Sequence, residues 1–249
     1  MISLPKQILV AAKTFWFYLG CILVLIVYCC TTVFVIPLLG DKKQQYVLTR
    51  FNVFVLWWIK LVCGIQYQVE GQENIPKGPC IVLCNHQSIW ETFFLQTLFN
   101  PLSTVLKQEL LSIPVFGWGA KVLKAIPLDR NEPIKAYKQL ISEGQDRVLN
   151  NRSVLIFPEG TRVPIGRKVK FNRGGASLAH LTQVPIIPIA HNAGLFWPSK
   201  ALFLKPGIIT VRIGQPIASS ELNKRQLYEQ STKWIESNRD SLFDANIAV

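Results

Sequence analysis

The hydrophobic pattern divides the chain in two. From Thr14 to Leu39, "TFWFYLGCILVLIVYCCTTVFVIPLL", 26 residues carry no charge, enough helix for about 39 Å against a hydrocarbon core of about 30 Å. Lys6 and Lys13 precede this run and Pro37 ends it without a small-residue cleavage site, so the segment is expected to be retained. A second apolar run, "FNVFVLWWIKLVCGI" from Phe51 to Ile65, includes Asn52 and Lys60 and falls short of the roughly 20 residues that a span needs. Its Phe51, Phe54, Trp57 and Trp58 suit the headgroup boundary. Basic residues flank both ends of the pair, so charge bias selects no direction of crossing. A helical hairpin that anchors or dips into one leaflet and returns the chain to its starting side accounts for that symmetry, the alternative being one full span plus a core helix, and residues 1–65 are read as an N-terminal membrane-anchoring two-helix segment.

Beyond Gln66 the pattern changes to short apolar runs separated by helical periodicity. The predicted strands are 80–84, 103–107, 125–128, 153–157, 185–190 and 207–214, with "PKGP" at 76–79 as turn chemistry before the first. Helices are predicted where Ile134, Tyr137, Ile141 and Val148 share a face, over 173–181 and over 221–242. This alternation predicts an α/β fold with a largely parallel sheet flanked by helices, its functional groups at strand-to-helix turns. With no internal repeat or low-complexity linker, residues 66–249 are read as one domain.

Composition adds an electrostatic constraint. Among 249 residues, 27 Lys and Arg against 15 Asp and Glu give a net charge of +12, which points to an anionic partner. The 49% apolar content favours a membrane phospholipid bilayer over nucleic acid, because no basic stripe is interleaved with exposed aromatics after residue 65. Cysteines 21, 29, 30, 63, 80 and 84 form no CxxC pair and are read as reduced apolar residues of a cytosol-facing protein.

The candidate chemistry lies at strand ends. In "CNHQSIWETFF" His86 follows the strand 80–84, Ser88 is placed to cap a helix through Trp90, Thr92 and Phe94, and Glu91 falls in that helix's first turn. A carboxylate folded back on one imidazole nitrogen fixes the tautomer and makes the other nitrogen a general base. Spacing alone leaves a second reading open, in which His86 helps start the helix and Glu91 favours its positive end. "FPEGTR" offers amides, a hydroxyl and a guanidinium at Glu159, Gly160, Thr161 and Arg162, suited to a phosphate or equally to a structural turn. Lys107, Arg130 and Arg162, at the ends of three strands, would converge on one rim. Gly174 and Gly175 fit an anion-binding helix start or tight packing. His180 and His191, with no carboxylate near in sequence, are read as structural or rim residues. No GxSxG elbow is present for a serine hydrolase.

Taken in order, "NHQSIWE", "IPLDR", "FPEGTR" and "VPIIPIA" resemble the four sequence blocks of the glycerolipid acyltransferases, most closely the 1-acyl-sn-glycerol-3-phosphate acyltransferases. The resemblance covers residues 70 to 215. It implies that His86 removes the proton of an acceptor hydroxyl, which attacks a thioester without an acyl-enzyme, and that Glu91 is its partner, where the family usually has aspartate. It implies glycerol-phosphate binding at Glu159, Gly160, Thr161 and Arg162, with Lys107 and Arg130 as further phosphate ligands, and Pro185 on the acyl-donor side. An oxyanion hole is expected from amides near Gly160. No metal or tightly bound cofactor is implied; the donor would be acyl-CoA or acyl-ACP, acyl carrier protein then being a partner. The implied reaction is acylation of lysophosphatidic acid to phosphatidic acid at the cytosolic membrane face. Glycerol 3-phosphate, another lysolipid, or an inactive lipid-binding role are the alternatives.

Overall fold

The computed structural model describes residues 4–200 and 203–247. Helices α1 (Leu4–Val35) and α2 (Asp41–Cys63) run antiparallel, joined by a short 3-10 turn at Ile36–Leu38 that includes Pro37. Two contacts fix their register: the Trp58 indole N–H donates to the Phe17 carbonyl at 3.2 Å, and the Cys63 thiol reaches the Lys13 carbonyl at 3.8 Å. Gly20 is where the helices approach most tightly. A Cβ there would lie 2.4 Å from the Trp58 indole nitrogen.

Both helices are longer than the apolar runs that reveal them. The run from Phe51 forms only the second half of α2, whose 23 residues begin in the charged stretch at Asp41. By length and composition both helices can cross a membrane, over 4–32 and 43–63. Ile8, Phe15, Trp16, Leu23, Val27 and Phe34 stand exposed on α1. Its other side joins the body of the protein, where Phe17 meets Trp197 edge-on at 5.3 Å and the Thr14 hydroxyl accepts the Leu204 amide.

Seven strands form one sheet: β1 (Ile65–Glu70), β2 (Ile81–Cys84), β3 (Leu102–Lys107), β4 (Ile126–Leu128), β5 (Ser153–Ile156), β6 (Ile186–His191) and β7 (Gly207–Ile213). Their spatial order is β1-β7-β6-β2-β5-β3-β4, with every pairing parallel except β6 with β7. Six match the predicted strands to within one or two residues. β1 is an addition, and it begins at Ile65, so the boundary drawn between 65 and 66 cuts this strand after its first residue. Five more helices complete the chain: α3 (Trp90–Leu98), α4 (Phe116–Val122), α5 (Pro133–Leu149), α6 (Gly174–Thr182) and α7 (Lys224–Ile247).

Strand alternation assigns the two faces. Val82, Cys84, Leu155, Ile187 and Ile189 pack with α1, α2 and α3, while Ile81, Leu83, Val154, Ile156 and Ile186 pack with α5, α6 and α7. Both faces are covered, which is why the central strands read as unbroken apolar runs. Neighbours β2 and β5 send their chains to opposite faces, β2 into α3 on the hairpin side and β5 toward α6 on the other. Such a divergence opens a crevice beyond the carboxyl ends of the strands.

Gly20→Ala should push the hairpin apart at Trp58 and cost about 1–3 kcal/mol, as overpacking typically does. A lowered thermal unfolding midpoint in detergent is the expected result; an unchanged midpoint would show that this approach tolerates a methyl group.

Candidate active site

The crevice is built around one carboxylate. Glu91 is fully buried, and its Oε1 accepts three hydrogens: from His86 Nδ1 at 2.8 Å, from the Gln87 amide at 2.8 Å and from the Ser88 amide at 2.7 Å. Ser88 in turn accepts the Trp90 amide on its hydroxyl at 3.1 Å. Ser88 and Glu91 therefore form a capping box, the serine bonding forward and the glutamate bonding back. The two readings of the sequence are one structure: the group that starts α3 is also the group that holds His86.

With Nδ1–H committed to Glu91, Nε2 is the basic nitrogen, and it makes no hydrogen bond among the described residues. The imidazole is 13% exposed and stacks on Phe157 with ring centroids 4.0 Å apart. Burial raises the Glu91 carboxyl, but attraction to His191 whenever that ring is protonated, the His86 bond and charge, and the Ser88 amide outweigh it, so the net direction is down. An ionised carboxylate on Nδ1 stabilises the imidazolium that forms when Nε2 takes a proton.

The "FPEGTR" turn grips His86 from the adjacent strand. The pairing of Leu83 with Ile156, continued three residues, sets His86 opposite Glu159. Its amide donates to Glu159 Oε2 at 2.8 Å and its carbonyl accepts the Val163 amide at 2.7 Å. Gly160 makes the turn possible with φ +68, its amide closing on the Phe157 carbonyl at 3.0 Å. That amide is thereby occupied and cannot serve an oxyanion, whereas those of Thr161 and Arg162 make no hydrogen bond among the described residues.

Glu159, expected beside a substrate phosphate, is placed elsewhere than the exposed rim. Its side chain is buried and turned inward, with Oε1 3.6 Å from Nη1 of the buried Arg239 on α7. Burial pushes its carboxyl up to about 7, against the His86 amide and Arg239. It shapes the backbone of His86 instead.

His191 closes the other side. Its Nε2–H donates to the Asn85 carbonyl at 2.8 Å and its Nδ1 accepts the Ala193 amide at 3.1 Å, which defines a neutral ring. Asn85 returns two bonds to the His191 backbone, at 2.9 and 3.1 Å. The structural reading of His191 agrees with these bonds, yet it is not without a carboxylate: Glu91 Oε2 lies 3.9 Å from Nε2. His180 is remote, against the Leu222 carbonyl.

Strand order brings the cations to one rim. Arg162, Lys107 and Arg130 follow β5, β3 and β4, adjacent parallel strands, spaced by about 5 Å each. All three are exposed. Lys107 pairs with Glu109 at 2.7 Å, and Glu109 is held below its ordinary range by the Lys107 bond and, more weakly, by Arg130. Both ends of the Lys107–Glu109 pair face solvent, so it contributes little and is easily exchanged.

Pro185 does not join them. It precedes β6, its carbonyl accepting the Ile81 amide at the start of β2, five residues and about 17 Å before His86 along the strand direction. Pro185, expected on the acyl-donor side, thus stands at the opposite end of the sheet from His86; the same strand reaches the crevice at His191. Gly175 is explained by packing, since a Cβ there would fall 2.5 Å from Leu83 Cδ2. Phe157, Arg239 and the contact of His191 with Glu91 are the features that sequence reasoning did not assign. Only Phe157 had a local signal, standing at the head of "FPEGTR".

A buried His–carboxylate pair with one free basic nitrogen, at the carboxyl rim of an α/β sheet, is the equipment of a general-base enzyme. Residues 66–192 match the family model described as "Acyltransferase". The 1-acyl-sn-glycerol-3-phosphate acyltransferase of Pseudomonas aeruginosa is 44% identical over 86% of this chain and 87% of its own. That of Saccharomyces cerevisiae is 31% identical over 83% and 68%. The crystal structure of the 1-acyl-sn-glycerophosphate (LPA) acyltransferase PlsC of Thermotoga maritima superposes with a TM-score of 0.80 at 23% identity, covering 95% of this chain and 97% of that one, and shows the shared fold. The chain belongs to the acyltransferase family and is an acyltransferase of the 1-acyl-sn-glycerol-3-phosphate type.

Because Glu159 ionises near 4.5 when unfolded and near 7 when folded, its contribution to stability is complete below about pH 4.5 and declines as pH rises toward 7. Glu159→Gln should flatten that part of the stability profile, measured as unfolding midpoints across the window. A profile as steep as that of the wild type would show that Glu159 ionises normally.

Proposed function

We propose that this protein transfers a fatty acyl chain from a thioester, on coenzyme A or acyl carrier protein, to the free hydroxyl of lysophosphatidic acid, giving phosphatidic acid. The observation that carries the mechanism is the bond from His86 Nδ1 to the ionised Glu91 at 2.8 Å, which leaves Nε2 as acceptor for the hydroxyl proton. As Nε2 takes that proton, the oxygen attacks the thioester carbonyl carbon. The tetrahedral intermediate expels the thiol sulfur, which recovers the proton from the imidazolium, so no acyl-enzyme forms.

The amides of Thr161 and Arg162, next to Gly160, are the proposed donors to the oxyanion. Arg162 is the proposed principal ligand of the acceptor phosphate, on the turn bonded to His86 itself, with Thr161 beside it and Lys107 and Arg130 further along the rim. The relatives' activity on 1-acyl-sn-glycerol 3-phosphate supports this acceptor. The exposed apolar residues of the hairpin support a membrane-associated protein that draws its acceptor from the bilayer; the crevice is proposed to face the cytosol.

His86→Ala should abolish turnover with folding and vesicle association intact; undiminished activity would refute the mechanism. Glu91→Gln should lower kcat by roughly 10²–10⁴, the range of general-base and orienting-carboxylate losses, and Glu91→Asp should retain more activity than Glu91→Gln. An acceptor panel tests the substrate. Lysophosphatidic acid should be preferred over lysolipids without a free phosphomonoester, and Arg162→Ala should raise KM chiefly for the phosphorylated acceptor. Indifference to the phosphate, or preference for glycerol 3-phosphate, would overturn the assignment.

A further inference from the structure

The chain between Glu159 and Glu221 contains eight Lys and Arg residues and no Asp or Glu. Its densest part is the loop 163–172. Both ends of this loop are tied to the site: the Val163 amide to the His86 carbonyl at 2.7 Å, and the Asn172 amide to the Pro158 carbonyl at 2.8 Å. Gly166, at φ +80, turns it, and the Arg167 amide closes on the Pro164 carbonyl at 3.2 Å. Phe171 anchors the far end in the α5–α7 core, its carbonyl accepting the Tyr228 hydroxyl at 3.1 Å.

The clasp leaves Arg167, Lys168 and Lys170 exposed. Lys168 meets Asp240 at 3.4 Å but remains 76% exposed, a pairing that an incoming anion can replace. The backbone from 167 to 170 reaches at most about 11 Å, so the three flexible side chains can converge on one compact polyphosphate, a smaller target than the acidic face of a carrier protein. The loop leads into α6 and touches α7, on the sheet face opposite the hairpin. Its cations are therefore set away from the helices with exposed apolar residues, toward an aqueous ligand and not a bilayer.

We propose that the loop 163–172 binds the phosphates of coenzyme A, through Arg167, Lys168 and Lys170, when the acyl donor is a coenzyme A thioester. This deepens the acyl-transfer reading and rests on it. Acceptor and donor would then approach the crevice from opposite faces of the sheet, the lipid from the hairpin side and the carrier from the α6–α7 side.

The test is calorimetric titration of the detergent-solubilised full chain with coenzyme A, comparing wild type with Arg167→Gln/Lys168→Gln/Lys170→Gln. Loss of three exposed charge contacts should weaken binding by about tenfold or more at low salt, and Arg167→Lys/Lys168→Arg/Lys170→Arg should keep it. In turnover, the neutral variant should show a raised KM for acyl-coenzyme A, with no such rise for acyl-pantetheine, which lacks the phosphates. Equal rises for both donors, unchanged coenzyme A affinity, a rise confined to acyl carrier protein, or loss of binding to anionic vesicles without loss of coenzyme A would each overturn the proposal. Wild-type protein that binds coenzyme A through these cations yet transfers no acyl group would count against the acyl-transfer reading while supporting the loop assignment.

Discussion

One oxygen atom organises this site. Glu91 Oε1 is buried and charged, a combination that is costly without partners, and three N–H groups from His86, Gln87 and Ser88 converge on it. Satisfying that oxygen forces the chain after β2 into the turn that begins α3. The same turn delivers the imidazole to the crevice. Local helix chemistry and the orientation of the His86 imidazole are therefore inseparable, and disturbing the carboxylate disturbs both.

The second buried carboxylate shows what partner number decides. Glu159 has one amide and a guanidinium 3.6 Å away, and burial prevails, pushing it up to about 7. Glu91, equally buried, has two amides on the same oxygen and two imidazoles nearby, and is driven the opposite way. Glu91 stands in the first turn of α3 and Glu159 in the turn after β5, and both act on the same residue, one on the side chain of His86 and the other on its backbone.

Much of this was legible in the sequence. The central strands announce themselves because burial on both faces makes Ile81–Cys84, Ser153–Ile156 and Ile186–His191 continuously apolar. β1 was hidden because "IQYQVE" is a half-exposed edge strand with polar residues at Gln66, Gln68 and Glu70, and its pairing depends on β7 some 140 residues later. His86, Glu91 and Ser88 were readable since their bonds span five residues. The roles of Glu159 and Arg239 were not, because a carboxylate in a turn looks the same whether it meets solvent or an arginine 80 residues away. The distance of Pro185 from the crevice was hidden for another reason: a motif that runs through a whole strand has one end at the crevice and the other at the opposite rim.

His86 is held by backbone bonds to residues 159 and 163 and by a side-chain bond to residue 91, while 67 residues separate Glu91 from Glu159. Spatial adjacency of β2 and β5, not chain proximity, preserves the arrangement. Insertion of one residue between Glu159 and Val163 would break the grip on His86, whereas the chain between Glu91 and Glu159 acts on it only by keeping β5 beside β2. Anyone transplanting this arrangement around His86 onto another α/β scaffold would have to carry three separate pieces together: 85–91, 157–163 and the arginine that reaches in from the final helix.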